Sequence, residues 1–115
     1  MATYIKLLPQ AVRTSSVTSN KITVWEGYPA AHIVVDHPNI GGGITVVAFG
    51  QDRESGFNYT LLSSNIVASG HTLMKIGPEY TAGANIAKEY LPYEWYISVT
   101  ASGTNSYGIG VQLVG

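Results

Sequence analysis

Short apolar runs recur along this chain, separated by polar residues, glycines and prolines. Most of the runs begin about eight to fifteen residues apart, a pattern typical of an all-β sandwich or barrel. Eight of them predict strands: Thr3–Leu8, Lys21–Trp25, Ala31–Asp36, Gly43–Gln51, Phe57–Ser63, His71–Ile76, Glu94–Ala101 and Ser106–Val114. We therefore expect a single antiparallel β-sandwich domain over residues 1–115, with about seven or eight strands and an Ig-like or jelly-roll-like arrangement.

The clearest alternation lies near the C-terminal end. In Glu94–Ala101 the odd-numbered residues are apolar, so this strand should bury one face and expose the other. In Ser106–Val114 the same rule points the odd-numbered residues inward. The four residues Ser102–Asn105 separate the two runs, which predicts an antiparallel hairpin.

A second hairpin is predicted in the middle of the chain, within Gly43–Leu62. Its polar turn, Asp52–Gly56, ends in a glycine that should take a positive φ. Asp52 and Glu54 could be the paired carboxylates of a glycosidase, but their setting between two apolar strands favours turn residues. The preceding Gly41–Gly43 should be a mobile connection, because glycines leave the backbone free.

One segment, Tyr80–Tyr90, departs from the β pattern. Ala82, Ile86 and Tyr90 recur at intervals of four, and Pro92 would stop any helix soon afterwards. The segment is predicted to hold at most a short helical turn near residues 82–90. An irregular crossover is the alternative, because Gly83 and Asn85 are poor helix formers.

Composition narrows the function classes. Hydrophobic residues make up 45% of the 115-residue chain and charged residues 11%, against about 25% charged in an average soluble protein. Six basic and seven acidic residues give a net charge of −1 without a basic cluster, so we expect no nucleic-acid partner. The chain has no cysteine. No signal peptide or bilayer-spanning run is evident, so we expect no membrane partner and synthesis in the cytoplasm.

Three residues, His32, Asp36 and His37, have side chains of the types that bind divalent metals. In an extended strand, however, His32 and Asp36 lie about 13 Å apart on one face, while His37 points to the other. We therefore interpret Asp36 as a strand-end residue that caps a turn at Pro38. No nucleophile elbow, phosphate loop or dinucleotide fingerprint is present, so we expect no cofactor and no enzymatic activity.

Four aromatic residues lie near predicted loops and are the candidate interface residues: Trp25, Tyr28, Tyr90 and Tyr93. Exposed aromatic side chains anchor protein interfaces and also stack on sugars. The alternative is that they shield the bases of the loops. Residues alone leave these three interpretations open.

Several blocks of this sequence resemble a family of small bacteriophage virion proteins. The first block is Asp52, Ser55, Gly56 and Tyr59–Leu62, of the type D-x-x-S-G-x-Y-Y-T-L-L, with Asn58 where the family often has an aromatic residue. The others are Gly77–Asn85 (G-P-x-x-T-A-x-A-N), Leu91–Trp95 (L-P-x-x-W) and the terminal Ser106–Gly115. Together they span about two thirds of the chain, and the first forty residues match more loosely.

This resemblance implies a structural component of a tailed-phage virion. The expected role is that of a capsid decoration (cement) protein on the capsid exterior, bound to the major capsid protein or other virion proteins, and a homo-oligomer such as a trimer is expected. A head–tail connector or tail accessory protein is the alternative within this class. From another class, the alternative is a carbohydrate-binding module for host adsorption, with Trp25 and Tyr28 as its binding residues.

Overall fold

The computed structural model describes residues 2–23 and 29–114, and within these ranges it contains strands and no helix. The strands are β1 Ala2–Arg13, β2 Val17–Thr18, β3 Ile22–Thr23, β4 Ala30–Ile40, β5 Ile44–Gln51, β6 Asn58–Ile66, β7 Gly70–Ile76, β8 Ile86–Ala87, β9 Glu94–Ala101 and β10 Asn105–Val114. The predicted all-β class is confirmed. The short β2, β3 and β8 have two residues each, so the other seven strands carry the fold.

Two sheets pack face to face to form the sandwich. The first sheet has the order β1-β10-β4-β7-β8, and the second has the order β2-β9-β5-β6, with β3 also paired to β9. Every pairing between these strands is antiparallel except that of β7 with β8.

The strands pair from the two ends of the chain toward its middle. β1 pairs with β10, β2 and β3 with β9, β4 with β7, and β5 with β6. The chain is thus one long hairpin whose tip is the turn between β5 and β6. The hairpin is rolled so that β10 meets β4 and β9 meets β5. This connectivity is that of a jelly roll.

The predicted hairpin between Glu94–Ala101 and Ser106–Val114 is wrong. β9 lies in the second sheet and β10 in the first, so the residues between them cross from one sheet to the other. In an immunoglobulin domain, by contrast, the last two strands share a sheet. The alternation of inward and outward residues is the same in both arrangements, because each strand turns one face to the core.

The inward residues of both sheets form one core, as the alternation predicts. Trp95, Ile97 and Val99 of β9 have no exposed surface, and Tyr107 to Leu113 of β10 are buried at every odd position. The remaining large side chains that are fully buried are Ile33, Val35, Val46, Met74 and Ile76. Burial of each such side chain contributes about 1.5–3 kcal/mol of transfer free energy, which offsets the entropy lost on folding.

The glycine segment Gly41–Gly43 is held in place rather than being the predicted mobile connection. The Oδ1 atom of the fully buried Asn105 accepts hydrogen bonds from the amides of Gly41, Gly42 and Gly43 at 3.0, 3.3 and 3.3 Å. The Asn105 Nδ2 atom donates to the carbonyl oxygen of Ser102 at 3.0 Å. One side chain therefore ties the β4–β5 crossover to the β9–β10 crossover.

Asp36 does not cap a turn at Pro38, because β4 continues through Pro38 to Ile40. Proline is tolerated here for two reasons. β7 begins at Gly70, opposite His37, so β4 has only β10 as a neighbour from Pro38 onward, and the β4–β10 register shifts between Asp36 and Asn39. Prolines in sheets are confined to such one-sided or bulged positions.

The segment between β7 and β9 is an irregular crossover, the alternative to the predicted helical turn. It includes an isolated bridge between Gly83 and Ile86, and Asn85 has a positive φ of 61°. The short β8 then pairs in parallel with the end of β7. The crossover thereby covers the far edge of the first sheet.

Candidate functional site

The predicted interface aromatics differ in their surroundings. Trp25 and Tyr28 lie outside the described residues. Tyr90 is 73% exposed and lines a cleft beside the first sheet. Tyr93 is half-buried, and the Arg53 guanidinium lies 4.5 Å from its ring centroid at the β5–β6 turn. Tyr90 is thus available to a partner, whereas Tyr93 packs against its own chain.

The outer face of the first sheet is built in rows across four strands. One row runs from Tyr4 of β1 through Gln112 and His32 to Lys75 of β7. The next row contains Lys6, Gly110, Val34 and Leu73. The third row contains Gly108, Asp36 and His71.

Three large apolar side chains are exposed on this outer face. Tyr4, Val34 and Leu73 are 65%, 41% and 46% exposed, and they come from three different strands. Tyr4 lies over Gly110, so its ring approaches the row that holds Val34 and Leu73. Large apolar patches on protein surfaces mark interaction sites, so we treat this face as the candidate docking surface.

Small outward residues create two depressions in this face. The first is a cleft of about 420 Å³ whose lining includes Ala30, Gly77 and Val114, with Tyr80 and Tyr90 beside them. These three small residues lie next to the Tyr4-to-Lys75 row. The second depression, about 250 Å³, lies over Gly108 and Gly110, where β10 presents no side chains outward.

Tyr80 is fixed at the edge of the first depression. Its hydroxyl group is 2.8 Å from His32 Nε2, and its ring packs directly against Gly77. The Lys75 ammonium lies 5.7 Å from the ring centroid. Tyr80 was not among the predicted interface residues. The one sequence signal that could have indicated it is the Gly77–Pro78 pair, which is typical of a turn.

The charges on the outer face are few and partly paired. The Asp36 carboxylate lies 3.1 Å from His71 Nε2, and both side chains are more than half exposed. Solvent screens such a pair, so it contributes little to stability. The other charges in the three rows are those of Lys6 and Lys75, so a partner that covers this face would have to pair or desolvate two lysines.

The candidate metal residues do not come together. His32 is hydrogen-bonded to the Tyr80 hydroxyl, and Asp36 contacts His71. The buried His37 is 2.8 Å from the hydroxyl of Thr72. Over residues 2–23 and 29–114, no three His, Asp or Glu side chains form a group that could hold a metal ion.

Asp52 and Glu54 belong to the turn at the tip of the long hairpin. Asp52 accepts hydrogen bonds from the hydroxyl and amide of Ser55 at 2.6 and 3.0 Å, and these bonds lower the pKa of Asp52. The Gly56 amide donates to the Asp52 carbonyl oxygen, and Gly56 has the expected positive φ, 76°. The carboxylate of Asp52 therefore stabilises the turn.

Comparisons with known proteins leave the family open: no protein-family model matches this chain, and no curated protein matches it. The described part of the chain also contains no helix that is long and apolar enough to cross a membrane.

Proposed function

We propose that this protein is a non-enzymatic structural component of a tailed-phage virion, a decoration protein that binds the exterior of the capsid. The observation that carries the proposal is the outer face of the first sheet, on which Tyr4, Val34 and Leu73 are exposed and which contains two depressions. The sequence blocks that resemble phage virion proteins provide the class of partner. The major capsid protein is the proposed partner, and a head–tail connector or tail accessory role is the alternative within the class.

Physical chemistry supports docking through this face. Burial of apolar surface drives most protein association, while tyrosine is enriched and charge depleted at the centres of interfaces. The exposed Tyr90, a predicted interface residue, borders the same face at the first depression. A cement protein stabilises the assembled state simply by binding it, which needs no catalytic group.

The free edge of the second sheet supports self-association. β6 is the last strand in that sheet, and its nine residues, Asn58–Ile66, include neither a charge nor a proline. Proteins commonly place charged residues or prolines on edge strands to block pairing between separate molecules. We therefore include a homo-oligomer, such as the expected trimer, in the proposal.

Co-sedimentation with expanded empty capsids that lack this protein tests the proposal. The wild-type protein should sediment with the capsids and saturate, and Leu73→Glu should reduce the bound fraction at least about tenfold because it places a charge in the interface. Val67→Glu is the matched control, since Val67 is 81% exposed on the connection between β6 and β7, away from the face. Circular dichroism and thermal melting would establish that both variants fold.

Two results would count against the proposal. Failure of the wild-type protein to sediment with capsids at any salt concentration would remove the capsid role. Equal binding by the wild type and Leu73→Glu would show that a different surface docks.

A further inference from the structure

A separate cleft of about 440 Å³ lies on the outer face of the second sheet, on the opposite side of the sandwich from the proposed docking face. It forms beside the break between β2 and β3. The Ser19 amide donates to the Ile97 carbonyl oxygen at 2.8 Å, and the Ser19 hydroxyl accepts from the Ile97 amide at 3.0 Å. The interrupted edge is thus held against β9, and the wall of the cleft is fixed.

Two aromatic rings form the apolar part of the cleft. Phe49 of β5 and Tyr96 of β9 are opposite each other in the register of the second sheet. Their rings stack with centroids 5.4 Å apart and planes 24° apart, and both side chains are half-buried. Each ring restricts the other, so a ligand would meet an ordered apolar surface and would not have to order it on binding.

The remaining lining is polar and almost uncharged. It includes the hydroxyl groups of Thr18 and Ser98, whose oxygens lie 3.4 Å apart, and the amide of Gln51. Hydroxyl and amide groups offer both donors and acceptors of hydrogen bonds. The ammonium group of Lys21 is the one charged group in this lining.

We propose that this cleft binds a neutral saccharide. One face of a pyranose ring carries C–H groups that pack on an aromatic ring, while its hydroxyl groups both donate and accept hydrogen bonds. The Phe49–Tyr96 pair would contact the ring face, and Thr18, Gln51 and Ser98 would exchange hydrogen bonds with the hydroxyls. The volume is within the range of sites for small ligands. A polyanion would find a single cation here, which disfavours nucleic acid as the ligand.

This proposal is independent of docking, because the two surfaces are on opposite sides of the sandwich. It also names other residues than Trp25 and Tyr28, which carry the carbohydrate-binding alternative in the sequence analysis. A bound capsid partner on the first sheet would leave the second sheet open to a saccharide.

An array of neutral oligosaccharides, built from hexose and N-acetylhexosamine units, tests the proposal with the full chain. Saturable binding to at least one glycan is expected, and Tyr96→Ala should weaken it at least about tenfold through the lost ring contact. Tyr96→Phe keeps the ring and should stay within about threefold of the wild type. Tyr90 is an exposed aromatic residue at the cleft beside the first sheet, and Tyr90→Ala should leave glycan binding unchanged.

Gln51→Ala provides a second test that leaves the aromatic pair intact, for the case in which Tyr96→Ala does not fold. This substitution should weaken binding of the same glycan several-fold, since it removes a hydrogen-bonding partner. Absence of binding to every glycan would overturn the proposal. Binding that is equally strong in the wild type and in folded Tyr96→Ala or Gln51→Ala would place the saccharide elsewhere and would also overturn it.

Discussion

Replacement of Asn105 by alanine should destabilise this protein far more than a typical polar substitution. The side chain is fully buried between the two crossovers that connect the sheets. It accepts three backbone hydrogen bonds from Gly41–Gly43 and donates a fourth to the carbonyl oxygen of Ser102. Alanine would remove all four at once and leave their backbone partners unpaired.

The magnitude follows from those four hydrogen bonds. A typical hydrogen bond contributes about 0.5–1.5 kcal/mol net, so four would contribute about 2–6 kcal/mol. Two of the bonds are long, at 3.3 Å, and Gly41 and Gly42 are exposed, so water can reach part of this backbone. We therefore expect a loss near the lower end, about 3 kcal/mol, which is still a large share of the stability of a small domain.

Urea denaturation followed by circular dichroism measures this loss, with Asn39→Ala as the matched control. Asn39 is an exposed residue of β4, so its substitution should change the free energy of unfolding by no more than about 0.5 kcal/mol. Hydrogen exchange should show protected amides at Gly41–Gly43 in the wild type and faster exchange in Asn105→Ala. A loss below about 1 kcal/mol with unchanged exchange would refute the argument that Asn105 holds the crossovers together.

Two further predictions concern the close packing of Gly42 against the backbone and the pKa of Asp52. Gly42→Ala should lower the free energy of unfolding by more than about 3 kcal/mol or prevent folding, because a Cβ atom would collide with the backbone carbonyl oxygen of Ser102. Gly83→Ala is the control and should be nearly neutral, because a Cβ atom there meets open space. Similar melting temperatures for the two variants would contradict this prediction. Ser55→Ala should raise the pKa of Asp52 toward its ordinary value, measured by NMR titration of the carboxyl carbon. The lowered pKa of Asp52 contributes stability above about pH 4 that is lost as the pH falls through the folded-state pKa. The variant should lose part of this acid-side dependence, because the backbone amides of Ser55 and Glu54 remain; an unchanged pKa would contradict the prediction.

The strands and their inward faces could be predicted from the sequence because both depend on local alternation. The predicted Glu94–Ala101 has the bounds that β9 has in the structure, and its odd-numbered residues from Trp95 to Val99 are buried. The sheet to which a strand belongs depends instead on distant partners. The pairing of β9 with β5, about fifty residues away, leaves no mark in a local pattern, and for that reason the C-terminal hairpin prediction was wrong.

The glycine segment shows a second limit of local reasoning. Gly41–Gly43 has the composition of a mobile connection, and nothing within it indicates otherwise. The residue that fixes it, Asn105, lies about sixty positions later and resembles any polar turn residue in the sequence. Its burial follows only from the rolled hairpin, which brings the two crossovers together.

The candidate docking face depends on the same rolling of the chain. Along β10, the glycines at 108 and 110 alternate with buried apolar residues and locally would only weaken a strand. In the first sheet, however, β10 lies between β1 and β4, whose outward residues include Tyr4 and Val34. These larger neighbours flank the two glycines and leave a depression whose lining also includes the polar side chains of Lys6, Gln10 and Asp36. The shape of this surface is therefore a property of strand order, and a Cβ atom at Gly108 or Gly110 would collide with the Gln10 backbone or the Tyr4 ring, so neither glycine could be filled without moving part of β1.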